Sequence, residues 1–183
     1  MMMTRTRRTP SFFHPEPVIP ALPRQSRTRS ILGLVGWLAL CYAVAAIGGL
    51  WTARSVADWY PTLTKPLWTP PGWLFGPVWG VLYTTMGVSA WLIWRRAGVS
   101  IGRIPLALFA LQLVLNLAWS GLFFGMRRVD LGLVDIIALD LAIMATIASF
   151  SRMSLPAAVL LVPYFGWVSF AAALNGMVWM LNR

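Results

Sequence analysis

Few side chains in this sequence could carry out acid–base or nucleophilic chemistry. Its 183 residues include one cysteine, Cys41, and one histidine, His14. A single cysteine cannot form an intrachain disulfide or a thiolate metal cluster, and no nucleophile elbow, phosphate-binding loop or metal-ligand spacing is present. The residues therefore predict a binding protein instead of a hydrolytic enzyme, with no metal and no required cofactor.

Tryptophan is the residue in excess, because the chain contains 11 of them. Indoles at the ends of apolar segments are typical of the aromatic belts of membrane proteins. Trp79 and Trp167 differ, since both lie well inside apolar segments. An indole buried at such a depth needs a hydrogen-bond partner for its N–H.

Such partners occur on another apolar segment, where Gln112, Asn116 and Ser120 recur every four residues. Side chains at this spacing lie on one face of a helix, so they form a polar stripe, and Trp119 lies beside it. Uncharged polar groups of this kind can also join helices to one another. The stripe is compatible with a ligand site and with plain helix packing.

The same spacing places Trp79 and Tyr83 on one helical face, and Trp167, Ala171 and Asn175 on another. Helices that each present an aromatic or amide face could enclose an apolar pocket with a few polar contacts. Core packing explains these positions equally well.

Asp135 and Asp140 lie within an apolar segment, where a charge is costly. They point about 140° apart on a helix, so they are not a paired acid and base. Asp135 is close enough to the end of the segment to pair with Arg127 or Arg128. Asp140 is deeper, and we expect it to be protonated or to face a polar cavity.

Composition indicates which elements must position these residues. The chain is 58% hydrophobic and 11% charged, whereas roughly a quarter of the residues in soluble proteins are charged. Its apolar segments are long enough to cross a hydrocarbon layer of about 30 Å. We therefore predict an all-α integral membrane protein, a five-transmembrane-helix bundle with spans at about 31–51, 73–94, 104–124, 131–150 and 156–181.

The net charge of +10 does not indicate nucleic-acid binding. Basic residues are concentrated in residues 1–30 and in the short connections between apolar segments, a distribution typical of anchoring at lipid headgroups. Residues 1–30 lack helical periodicity and are predicted to be a disordered basic tail that attracts anionic lipid. Residues 31–183 would form the membrane domain.

Only the connection from Thr52 to Gly72 is long, and it is rich in proline and aromatic residues. An ordered loop of this length is typical of a functional lid. In the following segment Gly76 and Gly80 form a GxxxG motif, which is compatible with tight packing inside one protomer and with a dimer interface.

Several motifs resemble, in order and spacing, those of the TspO/MBR family of tryptophan-rich sensory proteins and translocator proteins. The resemblance covers about residues 33–182, and the set is more specific than any one motif. The matching runs are Gly48-Gly49 followed by Thr52, Trp59-Tyr60-Pro-Thr-Leu-Thr-Lys65-Pro66, Pro70-Pro71-Gly-Trp73-Leu-Phe75-Gly-Pro77-Val-Trp79, Gln112-Leu-Val-Leu-Asn116-Leu-Ala-Trp119, and Val162-Pro163-Tyr164-Phe-Gly-Trp167 through Leu174-Asn175.

The resemblance implies a five-helix bundle, usually a homodimer, with a pocket closed by the loop after the first helix. Members are reported to bind protoporphyrin, haem precursors and other flat apolar ligands. Some promote light-dependent porphyrin breakdown, which would make Trp79 and Trp167 candidate photochemical residues. The ligand-binding residues that the resemblance implies are Trp59, Tyr60, Pro70, Pro71, Trp79, Tyr83, Gln112, Asn116, Trp119, Trp167 and Ala171.

Three functions are compatible with this reading of the sequence. The first is a membrane sensor that binds tetrapyrroles. The second is a transporter of porphyrins or other lipophilic molecules, which the lack of an internal repeat disfavours. The third is a structural protein whose aromatic residues form only a core. The expected partners are a tetrapyrrole or similar small molecule, the lipid bilayer and a second copy of the chain.

Overall fold

The computed structural model describes residues 26–183, and within them every long element is a helix and no strand occurs. This confirms the predicted all-α bundle of five helices. The predicted tail lies, up to residue 25, outside the described residues. The helices are α1 Arg27–Asp58, α2 Phe75–Ile101, α3 Arg103–Ser120, α4 Val129–Ser151 and α5 Leu155–Leu181.

The first helix is longer at both ends than its predicted span. Ser26 caps it, because the Ser26 hydroxyl accepts a hydrogen bond from the backbone N–H of Arg29 at 3.3 Å. At the other end α1 continues to Asp58. Hydropathy marks where a helix leaves the apolar layer and not where it ends. The connection predicted from Thr52 therefore begins only at residue 59, and we call residues 59–74 the lid.

Four elements are long and apolar enough to cross a membrane, namely α1, α3 with the turn that follows it, α4 and α5. The remaining helix, α2, has 27 residues, a length of about 40 Å at about 1.5 Å per residue. Trp79, Tyr83 and two arginines near its end lower its mean hydropathy. It completes the bundle because it packs between α1 and α5.

The five helices form a ring in the order α1, α2, α5, α4, α3, which α1 and α3 close. Its centre is filled by fully buried Met86, Phe109, Ile143, Phe150 and Tyr164. Every pair of neighbours in the ring therefore shares part of one apolar core.

Close approach of α1 and α2 depends on glycine. A Cβ added at Gly87 would lie 2.8 Å from Leu38, and one added at Gly33 would lie 2.1 Å from the Trp94 ring. By contrast, a Cβ at Gly76 or Gly80 would meet nothing within 4 Å. Tight packing of the GxxxG motif inside one protomer, one of its two predicted roles, is therefore wrong.

A π-helical turn, Gly121–Gly125, follows α3 and faces the lid. The backbone N–H of Met126 donates to the Gly121 carbonyl at 2.7 Å, the wider spacing that defines such a turn. It buries Phe123 and Phe124 side by side. The Ser55 hydroxyl of α1 donates to the Phe124 carbonyl, so the turn is fixed to the helix that precedes the lid.

Candidate ligand site

A chain of hydrogen bonds crosses the centre of the bundle. The Tyr83 hydroxyl on α2 donates to Oδ1 of Asn116 on α3 at 2.5 Å, and Nδ2 of Asn116 donates to the Tyr164 hydroxyl on α5 at 3.0 Å. All three side chains are buried. One amide thus joins three helices, as expected where lipid offers no competing partner.

Trp79 packs on this hydrogen-bonded chain. Its ring centroid lies 5.5 Å from that of Tyr83 and 6.3 Å from that of Tyr164. The Tyr83 contact is the one that a spacing of four residues predicts. The expected bond between an indole and the amide stripe is wrong for Asn116, because both polar ends of its amide are used by phenols.

Trp167 lies farther along the α2–α5 contact, between the rings of Phe75 at 5.7 Å and Phe170 at 5.6 Å. Its Nε1 is buried and has no hydrogen-bond partner among the described residues. A groove of about 460 Å³ begins at this side chain. The groove is lined by Pro77, Val78, Val81, Leu82, Pro163, Gly166 and Trp167.

Gln112, one helical turn before Asn116, is fully buried, and neither its Nε2 nor its Oε1 has a hydrogen-bond partner in the described chain. The third member of the stripe, Ser120, lies against α1, where a Cβ added at Gly48 would be 3.1 Å from its hydroxyl. The three residues of the polar stripe therefore differ in role. The Asn116 amide is hydrogen-bonded, the Gln112 amide has no hydrogen-bond partner in the described chain, and Ser120 packs against α1.

The lid contributes Trp59 and Tyr60 to a second aromatic cluster at the end of the bundle. The Trp59 ring lies 5.8 Å from Phe123, and the Tyr60 ring lies 5.8 Å from Phe124. Trp119 stacks on Phe123 at 5.3 Å. The π-helical turn thus presents its two phenylalanines to the lid on one side and to Trp119 on the other.

Burial in this cluster raises the pKa of the Tyr60 phenol above its ordinary value.

Trp119 forms a hydrogen bond to an amide. Its indole N–H donates to Oδ1 of Asn175 on α5 at 3.1 Å. An indole-to-amide bond of the predicted kind therefore exists, but it uses Asn175 and not the stripe on α3.

Hydrogen bonds hold the lid in place. The side-chain amide of Asn182, just after α5, accepts from the backbone N–H of Thr64 and donates to its carbonyl, both at 2.9 Å. The Lys65 ammonium donates to the carbonyls of Tyr60 and Leu63, both at 2.8 Å. The tip of the lid is therefore fixed to the end of α5.

Two proline positions implied by the resemblance lie in the second half of the lid. Pro70 is half-buried, whereas Pro71 is exposed and its carbonyl accepts from the Leu74 N–H at 3.0 Å. This bond belongs to the short turn that leads into α2.

Trp68, also in the lid, contacts Phe170 of α5, with 5.7 Å between the ring centroids. Ala171 is half-buried and packs against the main core.

A family model described as TspO/MBR family matches residues 37–180. The chain belongs to the TspO/MBR family.

Individual relatives agree with this assignment. The chain is 44% identical to the tryptophan-rich protein TspO of Chlorobaculum tepidum, over 84% of this chain and 98% of that protein. It is 39% identical to the translocator protein of Bos taurus, over 81% of this chain and 89% of that protein. It is 36% identical to the tryptophan-rich sensory protein of Cereibacter sphaeroides, over 80% and 89%.

This TspO/MBR protein is an integral, multi-pass membrane protein. The matched region contains every residue from Trp59 to Ala171 that the sequence motifs single out. Its lid, its tyrosine–asparagine chain and the Trp167 groove therefore lie inside the part that the family shares.

The acidic residues of α4 in this TspO/MBR chain differ from expectation. The predicted pairing of Asp135 is wrong, because Arg127 pairs with Asp58 at 2.9 Å and Arg128 with Asp130 at 2.6 Å. One carboxylate oxygen of Asp135 is buried without a hydrogen-bond partner in the described chain. The Asp130 partner raises the pKa of Arg128 by hydrogen bonding.

Asp140 meets a hydroxyl group and not a polar cavity. The Ser169 hydroxyl on α5 lies 3.0 Å and 3.1 Å from the two carboxylate oxygens. This contact joins α4 to α5 through two half-buried side chains, and Ser169 as the partner of Asp140 was not predicted from the sequence.

Five aromatic side chains that contact the predicted site residues were not predicted from the sequence: Phe75, Phe123, Phe124, Tyr164 and Phe170. Tyr164 follows Pro163, and the helix continues through that proline. Its spacing of three from Trp167 was a usable signal. The two adjacent phenylalanines gave none, because only the π-helical turn brings both inward.

Proposed function

We propose that this protein binds protoporphyrin or a similar flat, apolar tetrapyrrole at the groove between α2 and α5, in a site that extends inward toward α3. The observation that carries the proposal is the buried N–H of Trp167, which has no partner in the described chain and adjoins a groove of about 460 Å³. An unpaired buried donor costs about 1–3 kcal/mol. An acceptor on a bound ligand would recover that free energy.

Aromatic side chains near the groove support a flat ligand. Trp167 lines the groove and packs with Phe75 and Phe170, and Trp79, on the groove-forming helix α2, packs with Tyr83. Aromatic faces stack favourably on a planar ring system while removing it from water. The unsatisfied amide of Gln112 is fully buried on α3 and does not line the groove, so it is a ligand contact only where the site extends inward to the centre of the bundle.

The test is a titration of the detergent-purified protein with protoporphyrin, followed by tryptophan quenching. Trp167→Phe retains an aromatic ring and removes the N–H, so we expect affinity to fall about tenfold, the equivalent of about 1.4 kcal/mol. Trp73→Phe, at a residue that is 73% exposed, is the matched control and should bind as the native protein does. Equal affinity in both variants would refute this site.

The proposal extends to light. Trp79 and Trp167 are the candidate electron donors to an illuminated porphyrin. Dioxygen would take that electron from the reduced porphyrin to form superoxide, and superoxide would then add to and oxidise the porphyrin ring, which bleaches it. We expect illumination to bleach bound porphyrin more slowly in a Trp79→Phe, Trp167→Phe double variant than in the native protein at equal occupancy. Equal bleaching rates would remove the photochemical part and leave the binding proposal untouched.

Transport is the second candidate, because the groove opens on the side of the bundle between α2 and α5. A ligand there could exchange with the bilayer. Net movement of porphyrin across proteoliposomes would favour a transporter, whereas binding without net movement would favour a sensor.

We also infer a homodimer, as the family resemblance implies. A Cβ added at Gly76 or Gly80 would meet nothing within 4 Å inside the protomer, and small residues allow helices of two copies to approach closely. The test is the mass of the detergent-solubilised protein. Gly80→Leu should shift it toward the monomer, and Gly36→Leu on α1 is the matched control.

A further inference from the structure

The end of the bundle opposite the lid carries an excess of positive charge. Among the described residues no carboxylate lies at this end, whereas at the lid end Arg127 and Arg128 each pair with an aspartate. The cations come from the start of α1, the junction of α2 and α3, and the turn between α4 and α5. They are Arg27, Arg29, Arg95, Arg96, Arg103 and Arg152.

Two of these guanidinium groups lie against indoles of α2. The Arg95 Cζ is 4.4 Å from the centroid of the Trp91 ring, and the Arg29 Cζ is 6.0 Å from that of Trp94. A cation over an aromatic face is attracted to it. The guanidinium can keep its N–H donors available for an anion in this arrangement.

The indoles themselves are fixed by the contact between α1 and α2. Nε1 of Trp91 donates to the Ser30 carbonyl at 2.8 Å. The Trp94 ring covers Gly33 so closely that an added Cβ would lie 2.1 Å from it. Trp94 and Trp91, both fixed where α1 packs against α2, therefore hold the guanidinium groups of Arg29 and Arg95.

We propose that Arg29 and Arg95, held on Trp94 and Trp91, bind the phosphate of an anionic phospholipid. Arginine presents planar donors that match phosphate oxygens. Tryptophan is enriched at the level where headgroups lie. No carboxylate of the described chain lies at this end to repel the negative charge of the phosphate.

The apolar surface next to Arg29 favours a lipid as the source of the phosphate. Ile31, Leu32 and Val35, all exposed, follow Arg29 along α1, so acyl chains can lie against apolar side chains while the headgroup meets the guanidinium groups. A free phosphate would use the charges and leave this apolar surface unused. The site is separate from the proposed ligand groove, and the proposal does not depend on porphyrin binding.

The test uses the full chain in detergent with equimolar phosphatidylglycerol and phosphatidylcholine, and native mass spectrometry counts the retained lipids. We expect the native protein to retain phosphatidylglycerol preferentially. Arg29→Gln with Arg95→Gln should reduce that preference about tenfold, since each basic residue near a membrane surface contributes about a few-fold.

The matched control changes the same number of charges at the lid end, in Arg54→Gln with Arg183→Gln. Arg183 also lies over an indole, with its Cζ 5.2 Å from the Trp179 centroid. A retained preference in the first double variant, or an equal loss in both, would overturn the site. Helical content by circular dichroism verifies that each variant is folded. Displacement of phosphatidylglycerol by an equal concentration of inorganic phosphate would overturn the lipid as its ligand.

Discussion

Tyr83 of α2 and Asn116 of α3 are joined by a 2.5 Å hydrogen bond in the buried centre of the bundle. The same amide donates to Tyr164 of α5. Because the surroundings are apolar, a phenol that loses this amide finds no replacement partner. The stability of the three-helix contact therefore depends on one side chain.

Replacing that side chain should destabilise the protein strongly. Asn116→Leu has similar volume but leaves the hydroxyls of Tyr83 and Tyr164 unpaired. We expect the free energy of unfolding to fall by about 2–6 kcal/mol, from about 1–3 kcal/mol for each of the two unsatisfied buried hydroxyls. Reversible unfolding in mixed micelles, followed by circular dichroism, measures the change.

Tyr83→Phe is the matched control, because it leaves one buried group, Oδ1 of Asn116, without a partner instead of two. It should cost about half as much, about 1–3 kcal/mol. Equal losses in the two variants would contradict the assignment of both bonds to Asn116.

The contact of Asn182 with Thr64 predicts a local effect on the lid. Asn182→Ala removes two hydrogen bonds between the lid tip and the end of α5. We expect amide exchange of residues 60–66 to speed up by about tenfold, while α3 and α4 keep their native protection, because elements open separately with different free energies. Hydrogen exchange with peptide resolution measures both.

The control for the lid is Thr62→Ala, which removes a bond to the Trp59 carbonyl at 2.7 Å within the same segment. It should leave the tip fixed to α5. If Thr62→Ala loosened the lid as much as Asn182→Ala does, the lid would be held by its internal bonds instead.

The number and approximate places of the helices could be predicted from sequence because each depends on a long apolar segment. The end of α1 could not, since residues 53–58 include Arg54, Ser55 and Asp58 and are still helical. Hydropathy records the environment of a side chain, whereas a helix end depends on backbone hydrogen bonds and capping.

The residues of the site were easier to predict than their partners. A spacing of four placed Trp79 beside Tyr83 correctly. The spacing did not predict the hydrogen-bond partners of Asn116. Tryptophan and tyrosine side chains at a similar depth in the membrane are all possible partners, and residue spacing within one helix does not distinguish them. The Trp119 indole donates to Asn175 of α5. This pairing depends on how α3 and α5 are rotated and shifted along their axes when they pack.

Arg127 is the one described non-glycine residue with a positive φ, 56°. Such a conformation costs about 1–2 kcal/mol for a residue with a Cβ. Its ion pair with Asp58 is exposed on both sides, so the pair contributes little. In an Asp58→Asn background, Arg127→Gly should therefore raise the free energy of unfolding by about 0.5–1 kcal/mol after the entropic cost of glycine. The same mixed-micelle unfolding measures it, and a loss of stability would show that Arg127 has a further contact.

Gln112 leads to a prediction of opposite sign to that for Asn116. Both amides are buried on α3, one turn apart, but neither polar atom of Gln112 has a partner in the described chain. Gln112→Leu removes this unsatisfied group while nearly conserving volume, so the ligand-free protein should become more stable by about 1–3 kcal/mol. If the amide is a ligand contact, the same variant should bind protoporphyrin more weakly, by about fivefold to tenfold.

The two measurements on Gln112→Leu separate a functional from a purely structural amide. A gain in stability with weaker porphyrin quenching assigns the amide to the ligand. A gain in stability with unchanged quenching would remove Gln112 from the proposed site. A loss of stability comparable to that of Asn116→Leu would mean that the Gln112 amide has a hydrogen-bond partner in the folded protein, such as a bound water. The amide would then not be available to a ligand as an unpaired group.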